Sequence, residues 1–188
     1  MKKLLYLFAS FIISTNLFSQ EAITQQNINQ AVDAWLEDSV STQATYGHIS
    51  DWDVSNVTDM SQLFYGAGGF NGDLSSWDVS NVTNMSGMFQ EEMGMNTMFN
   101  GDISSWNVSN VIDMSRMFNG CIFNGDLSSW DVSNVIDMSR IFLGAYSFNG
   151  DLSGWDVSSV TNMNSMLWNA TSFNGDLSSW DVSSVTNM

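Results

Sequence analysis

The sequence predicts an α/β repeat solenoid, with one short parallel strand per 25-residue repeat, short helical turns and an N-terminal capping helix. Three observations lead there. Trp52, Trp77, Trp106, Trp130, Trp155 and Trp180 follow one another at intervals of 25, 29, 24, 25 and 25 residues, and a fixed period in this range marks stacked repeats. Within each period a run such as Leu127 to Val132, L-x-x-W-x-V, alternates apolar and polar residues near its end like a half-buried strand. Ahead of the first repeat, Ile28, Ala31, Val32, Trp35 and Leu36 fall at helical spacing on one face.

Taken from the N-terminus, Lys2 and Lys3 precede an apolar run from Leu4 to Ile13, which Ser14, Thr15 and Asn16 break. Residues 1–19 have the layout of a secretory signal peptide, cut near Ser19–Gln20, and the run is too short to span a membrane. The chain is therefore expected to be secreted or displayed at the cell surface. Residues 20–44 read as the capping helix and a linker, with Thr24 or Asn27 as N-cap. A helix there would cover the open end of the first repeat, as the end units of repeat stacks require.

Residues 45–188 hold about five and a half units, beginning near Thr45 (a degenerate copy), Phe70, Phe99, Phe123, Phe148 and Phe173, with the last truncated. The unit reads F-N-G-D-L-S-S-W-D-V-S-N-V-T-N-M-S-x-M-F-x-G-A-x-S. An insertion within Glu91 to Met98 and a deletion near Cys121 both follow the Met-Phe pair, which predicts a surface loop there. In the copy that starts at Phe123, the expected inward residues are Phe123, Leu127, Trp130, Val132, Val135, Met138, Ile141, Phe142 and Ala145. Phe123 to Asp126 reads as a turn. Trp130 and Val132 point in with Asp131 out, Val135 to Met138 forms a second extended piece, and Met138, Ile141, Phe142 and Ala145 have the spacing of two helical turns. One unit buries too little to offset the ordering of its own backbone, so neighbours must bury each other's faces. No equivalent cap follows residue 173, which leaves open a fragment, a truncated product or a partner at that end.

Composition narrows the function. Among 188 residues there are 4 basic and 20 acidic side chains, one Cys, one His and no Pro. Beyond residue 19 only Arg116 and Arg140 are basic, for a net charge of −18 (2 − 20). Phosphate neutralisation needs Lys and Arg, so a nucleic-acid partner is excluded. One Cys and one His exclude a disulfide framework, a Cys/His zinc site and a Cys–His nucleophile pair. Acidic residues recur in every unit without a distinguished acid–base pair, so the chain does not read as an enzyme.

The aspartates recur in two series: Asp73, Asp102, Asp126, Asp151 and Asp176, and Asp53, Asp78, Asp131, Asp156 and Asp181. Stacking would bring like charges to about 5 Å. Turn chemistry within each repeat is the favoured explanation, with bound calcium as the alternative. Asn107 stands in the second series, which a hydrogen-bonding role tolerates. The recurring Trp and Met residues, and Cys121, read as core, and His48 as structural. Trp168 differs, because it holds the variable slot also occupied by Tyr65, Gln90, Asn119 and Leu143. It is a contact residue or local packing. The candidate ligand contacts are Trp168, Tyr65, Arg116, Arg140, Asp131 and Asp156.

The runs WDVSNVTDMSQLF, FNGDLSSWDVSNVTNMSGMF and GDLSSWDVSNVIDMSRIF resemble the BspA-like repeat of bacterial secreted and surface lipoproteins. The likeness covers residues 45–188. It implies a leucine-rich-repeat-like solenoid and a role in surface display, adhesion or protein–protein contact. A lipid-anchor Cys, a wall-sorting motif and a C-terminal anchoring domain, which attach such proteins to cells, do not occur. The expected function is a binding module whose partner is a surface protein, a matrix protein or a glycan. A purely structural spacer is the competing reading.

Overall fold

The computed structural model describes residues 20–91 and 97–188, so the expected signal peptide lies outside the described residues. Among the described residues from 47 onward the backbone is built of recurring turns closed by a hydrogen bond over three residues. In the copy that starts at Phe123, the N–H groups of Trp130, Val135, Ile141, Ala145 and Phe148 donate to the carbonyls of Leu127, Val132, Met138, Phe142 and Ala145 at 2.9–3.2 Å. Both ends of each of these turns are apolar, so every turn drops two side chains on the same side. Leu127, Val132, Val135, Met138, Ile141, Phe142, Ala145 and Phe148 are fully or almost fully buried as a result.

This corrects the expected fold class. Among the described residues there are two short α-helices, one 3-10 turn and six isolated parallel bridges, but no strand and no sheet. An α/β solenoid of the leucine-rich-repeat type, with one strand per repeat, does not form. The reason lies in the turns. Asp131 accepts from the N–H of Ser133, and Val135 donates to Val132, so the chain between Trp130 and Met138 cannot stay extended. Strand-type pairing with the next copy is confined to one isolated bridge, Asp137 to Asn162.

The expected helical turns from Met138 to Ala145 are absent for a related reason. Arg140 and Gly144 have left-handed backbones, with φ of 58° and 69°, which no right-handed helix accommodates. Met138, Arg140, Phe142 and Gly144 instead donate their N–H groups to Asn162, Asn164, Met166 and Trp168 of the next copy, at 2.8–3.0 Å. The same alternation joins the earlier copies.

Side chains complete the joints. Each indole N–H reaches back to the preceding copy: Trp77 to the carbonyl of Ile49, Trp106 to Leu74, Trp130 to Ile103, Trp155 to Leu127 and Trp180 to Leu152, at 2.8–3.1 Å. Asn71, Asn100, Asn124 and Asn149 each accept the N–H of the equivalent Asn one copy on, at 2.7–2.9 Å. Inside, two columns of rings run through the stack. Phe64, Phe89, Phe118 and Phe142 lie with centroids 5.4–5.8 Å apart. Phe70, Phe99, Phe123, Phe148 and Phe173 follow at 6.0–6.5 Å.

Two helices, rather than one, cover the first copy: α1 (Ile28–Glu37) and α2 (Ser39–Tyr46). Asn27 is the N-cap residue of α1, but its carboxamide oxygen accepts from Thr24 instead of from the helix. Ile28, Ala31 and Val32 are buried, whereas Leu36 is exposed. Asp38 ends α1 and caps α2, accepting the N–H groups of Val40 and Ser41 at 3.1 Å. Gln25 then takes the place of a missing preceding copy. Its carboxamide oxygen accepts from the N–H groups of Thr58 and Asp59, and its nitrogen donates to the Asp59 carbonyl, all at 2.9 Å. In the third copy Ile112 and Asp113 donate the equivalent pair to the Thr83 carbonyl of the second.

Candidate functional site

The aspartate series form turns. Asp126 accepts the N–H of Ser128 at 2.9 Å, and Asp131 accepts the N–H and hydroxyl of Ser133 at 3.1 and 2.6 Å. Asp156 does the same with Ser158, and Asn107 with Ser109. Burial, and then Asp156, push the Asp131 carboxyl up, and burial, Asp151 and Asp102 push that of Asp126 up. The serine hydrogen bonds outweigh this. The Ser133 hydroxyl and then its N–H hold Asp131 below the usual carboxylate range, and the Ser128 N–H and then its hydroxyl do so for Asp126. Among the described residues no group of three or more His, Cys, Asp or Glu side chains is placed to hold a metal ion.

Between these turns and the bridge residues the outer surface forms a groove of about 560 Å³, lined by Asn81, Thr83, Asn110, Ile112, Asn134 and Ile136. Three copies contribute two residues each. Asn81, Asn110 and Asn134 donate their amide N–H to the carbonyls of Ser55, Ser80 and Ser109 at 2.7–2.8 Å. That bond orients each carboxamide. Ile112 and Ile136 are 50 % and 41 % exposed. Along this column the other copies carry Thr58, Thr83, Thr161 and Thr186, and the Asn column gives way to Ser159 and Ser184. The groove is thus local to the copies that contain Asn81, Ile112 and Ile136.

The six residues singled out from the sequence do not converge. Asp131 and Asp156 sit one copy apart in the turn after Trp. Arg116 and Arg140 also lie one copy apart, in the turn after Met-Ser, where the Arg116 N–H donates to the Ser139 carbonyl. Both arginines are exposed, with left-handed backbones. Tyr65, 41 % exposed, lies near α1 beside Asn29 and Asp33. Trp168, 65 % exposed, lines an apolar cavity of about 470 Å³ with Met163, Met166, Leu177, Trp180 and Met188. The groove residues escaped the sequence reading. Their signal was Ile standing twice in an outward slot that other copies fill with Thr.

The remaining candidates are structural. The Trp column up to Trp155 is buried, as are Met60, Met85, Met114 and Met138. Cys121 is buried, bonds the Phe99 carbonyl, and has its thiol pushed up to about 12 by burial. His48 is exposed, lies edge-on to Trp35 and approaches the Ser50 hydroxyl.

Comparison with known proteins places the chain in one family. Residues 16–98, 34–122 and 93–188 each match the family described as "Mycoplasma protein of unknown function, DUF285". These segments span most of the chain, which belongs to that family. No curated protein and no solved structure matches it.

Proposed function

We propose that this family member is an exported, acidic binding module that mediates adhesion or protein–protein interaction. One observation carries the reading. The buried positions of the unit repeat with little change, while two slots that are exposed or half-buried differ from copy to copy, one held by Tyr65, Gln90, Asn119, Leu143 and Trp168 and the other by Gln62, Arg116, Arg140 and Ser165. A scaffold that repeats its inside and varies selected outward slots suits recognition more than chemistry. The signal-peptide layout of residues 1–19 and the likeness to bacterial surface-protein repeats support the same reading. No helix among the described residues is long and apolar enough to cross a membrane. The test is binding of the purified chain to an array of surface proteins, matrix proteins and glycans, with calcium and with chelator in parallel. Selective signal from proteins is expected, and silence from folded protein in both arms defeats the reading in favour of a spacer.

A glycan-binding module is the second reading, favoured by the exposed Trp168 beside an apolar cavity. It requires Trp168→Ala to abolish glycan signal on the same array.

A further inference from the structure

We propose that the groove over Ile112 and Ile136 binds a basic, extended polypeptide segment carrying aliphatic side chains. This deepens the binding-module reading above and rests on it. The apolar part of the lining is the isoleucine pair. Two isoleucines are left half-exposed in a slot that Thr fills in the other copies, so the turn itself does not require an apolar side chain there. Adjacent exposed aliphatics in a concave surface are the mark of a contact site rather than of scattered surface residues.

Charge on the residues flanking the lining in sequence decides the occupant. Asp78 and Asp131 stand exposed three residues before Asn81 and Asn134, and Asp113 and Asp137 directly follow the two isoleucines. Serine hydrogen bonds hold Asp78 and Asp131 below the usual carboxylate range, so both are ionised at neutral pH. Every charged group in these two flanking positions is a carboxylate, on a chain whose only cations beyond residue 19 are Arg116 and Arg140. Charge complementarity therefore selects Lys or Arg on the partner. The floor carries no aromatic ring on which a sugar could stack. Asn81, Asn110 and Asn134 each use one amide N–H internally, which fixes the carboxamide and leaves its oxygen to accept from, and its second N–H to donate to, the partner's backbone.

The test uses the full chain and an eight-residue peptide of alternating Lys and Leu, beside Glu-Leu and Gln-Leu counterparts and a neutral glucose hexasaccharide. Two variants report on the site, and the stack already tolerates both: Ile112→Thr with Ile136→Thr, as at Thr83 and Thr161, and Asp78→Asn with Asp131→Asn, as at Asn107. The Lys-Leu peptide is expected to bind. The double Thr variant should bind it about tenfold more weakly, and the double Asn variant several-fold more weakly with a shallower salt dependence. Unchanged affinity in the Thr variant means that general attraction to an acidic protein explains the binding, and overturns the proposal. So does equal binding of the Glu-Leu peptide, binding of the hexasaccharide alone, or no peptide binding at all. A protein partner found on the array and still bound by the Thr variant also overturns the groove assignment, while the binding-module reading survives. Only silence on the array removes both.

Discussion

Replacing Arg140 by Gly separates a helical from a turn-built backbone by the sign of one measurement. In a helix, Gly in place of Arg costs about 1 kcal/mol. In the structure Arg140 holds φ at 58°, where an L-residue pays roughly 1–2 kcal/mol and Gly pays nothing. Gly loses about 0.5–1 kcal/mol of that gain through its freer unfolded chain. The expected net effect of Arg140→Gly is stabilisation by about 0.5–1 kcal/mol. Loss of a cation from an acidic chain works slightly against it, so Gln62→Gly, at φ 56° in the same slot, serves as the charge-neutral companion. The reverse exchange, Gly87→Ala at φ 62°, should cost roughly 1–2 kcal/mol, and its new methyl would stand 3.1 Å from the Gln90 side chain. Urea unfolding followed by tryptophan fluorescence reads all three. At about 2–4 °C per kcal/mol for a chain of this size, the two Gly variants should melt about 1–4 °C higher. A fall in midpoint for both would refute the left-handed turn.

Three further outcomes follow from the packing and the turns. Phe118 is fully buried, with ring centroids of Phe123, Phe142 and Phe89 at 4.4, 5.7 and 5.8 Å. Phe118→Ala should cost about 4–5 kcal/mol in urea titrations, and Phe118→Leu about 1–2 kcal/mol, because Leu167 already ends that column. Gln25→Ala strips the first copy of three hydrogen bonds and should cost about 1–2 kcal/mol; hydrogen exchange should rise at Thr58 and Asp59 and stay unchanged at Asp137. The aspartates of both series have folded-state values below the ordinary 3.8. Their contribution is therefore complete above pH 3.8 and is lost as pH falls through the lower folded values. The urea midpoint should drop below pH 4, and a midpoint that rises there would show that column repulsion outweighs the serine bonds.

The repeat, its period, its inward residues and the two irregular copies were legible in the sequence, because burial of Trp, Phe, Met and Val recurs at every copy. What failed was the step from spacing to backbone. Met138, Ile141, Phe142 and Ala145 sit at three- and four-residue intervals, which a helix and a chain of three-residue turns satisfy equally. The choice depends on where the N–H groups of Arg140 and Gly144 go, and those partners, Asn164 and Trp168, belong to the next copy. The alternation around Trp130 likewise suits a strand or a turn that Asp131 and Ser133 close. Among the sites, the aspartate columns could be read from register alone. The groove could not, because its six lining residues come from three copies and become neighbours only through stacking. Sequence by itself therefore determined which side chains face inward and how often, since burial is a property of residue type and period. The tertiary structure decided the backbone form and the outer groove, since both depend on hydrogen bonds and contacts made between copies rather than within one.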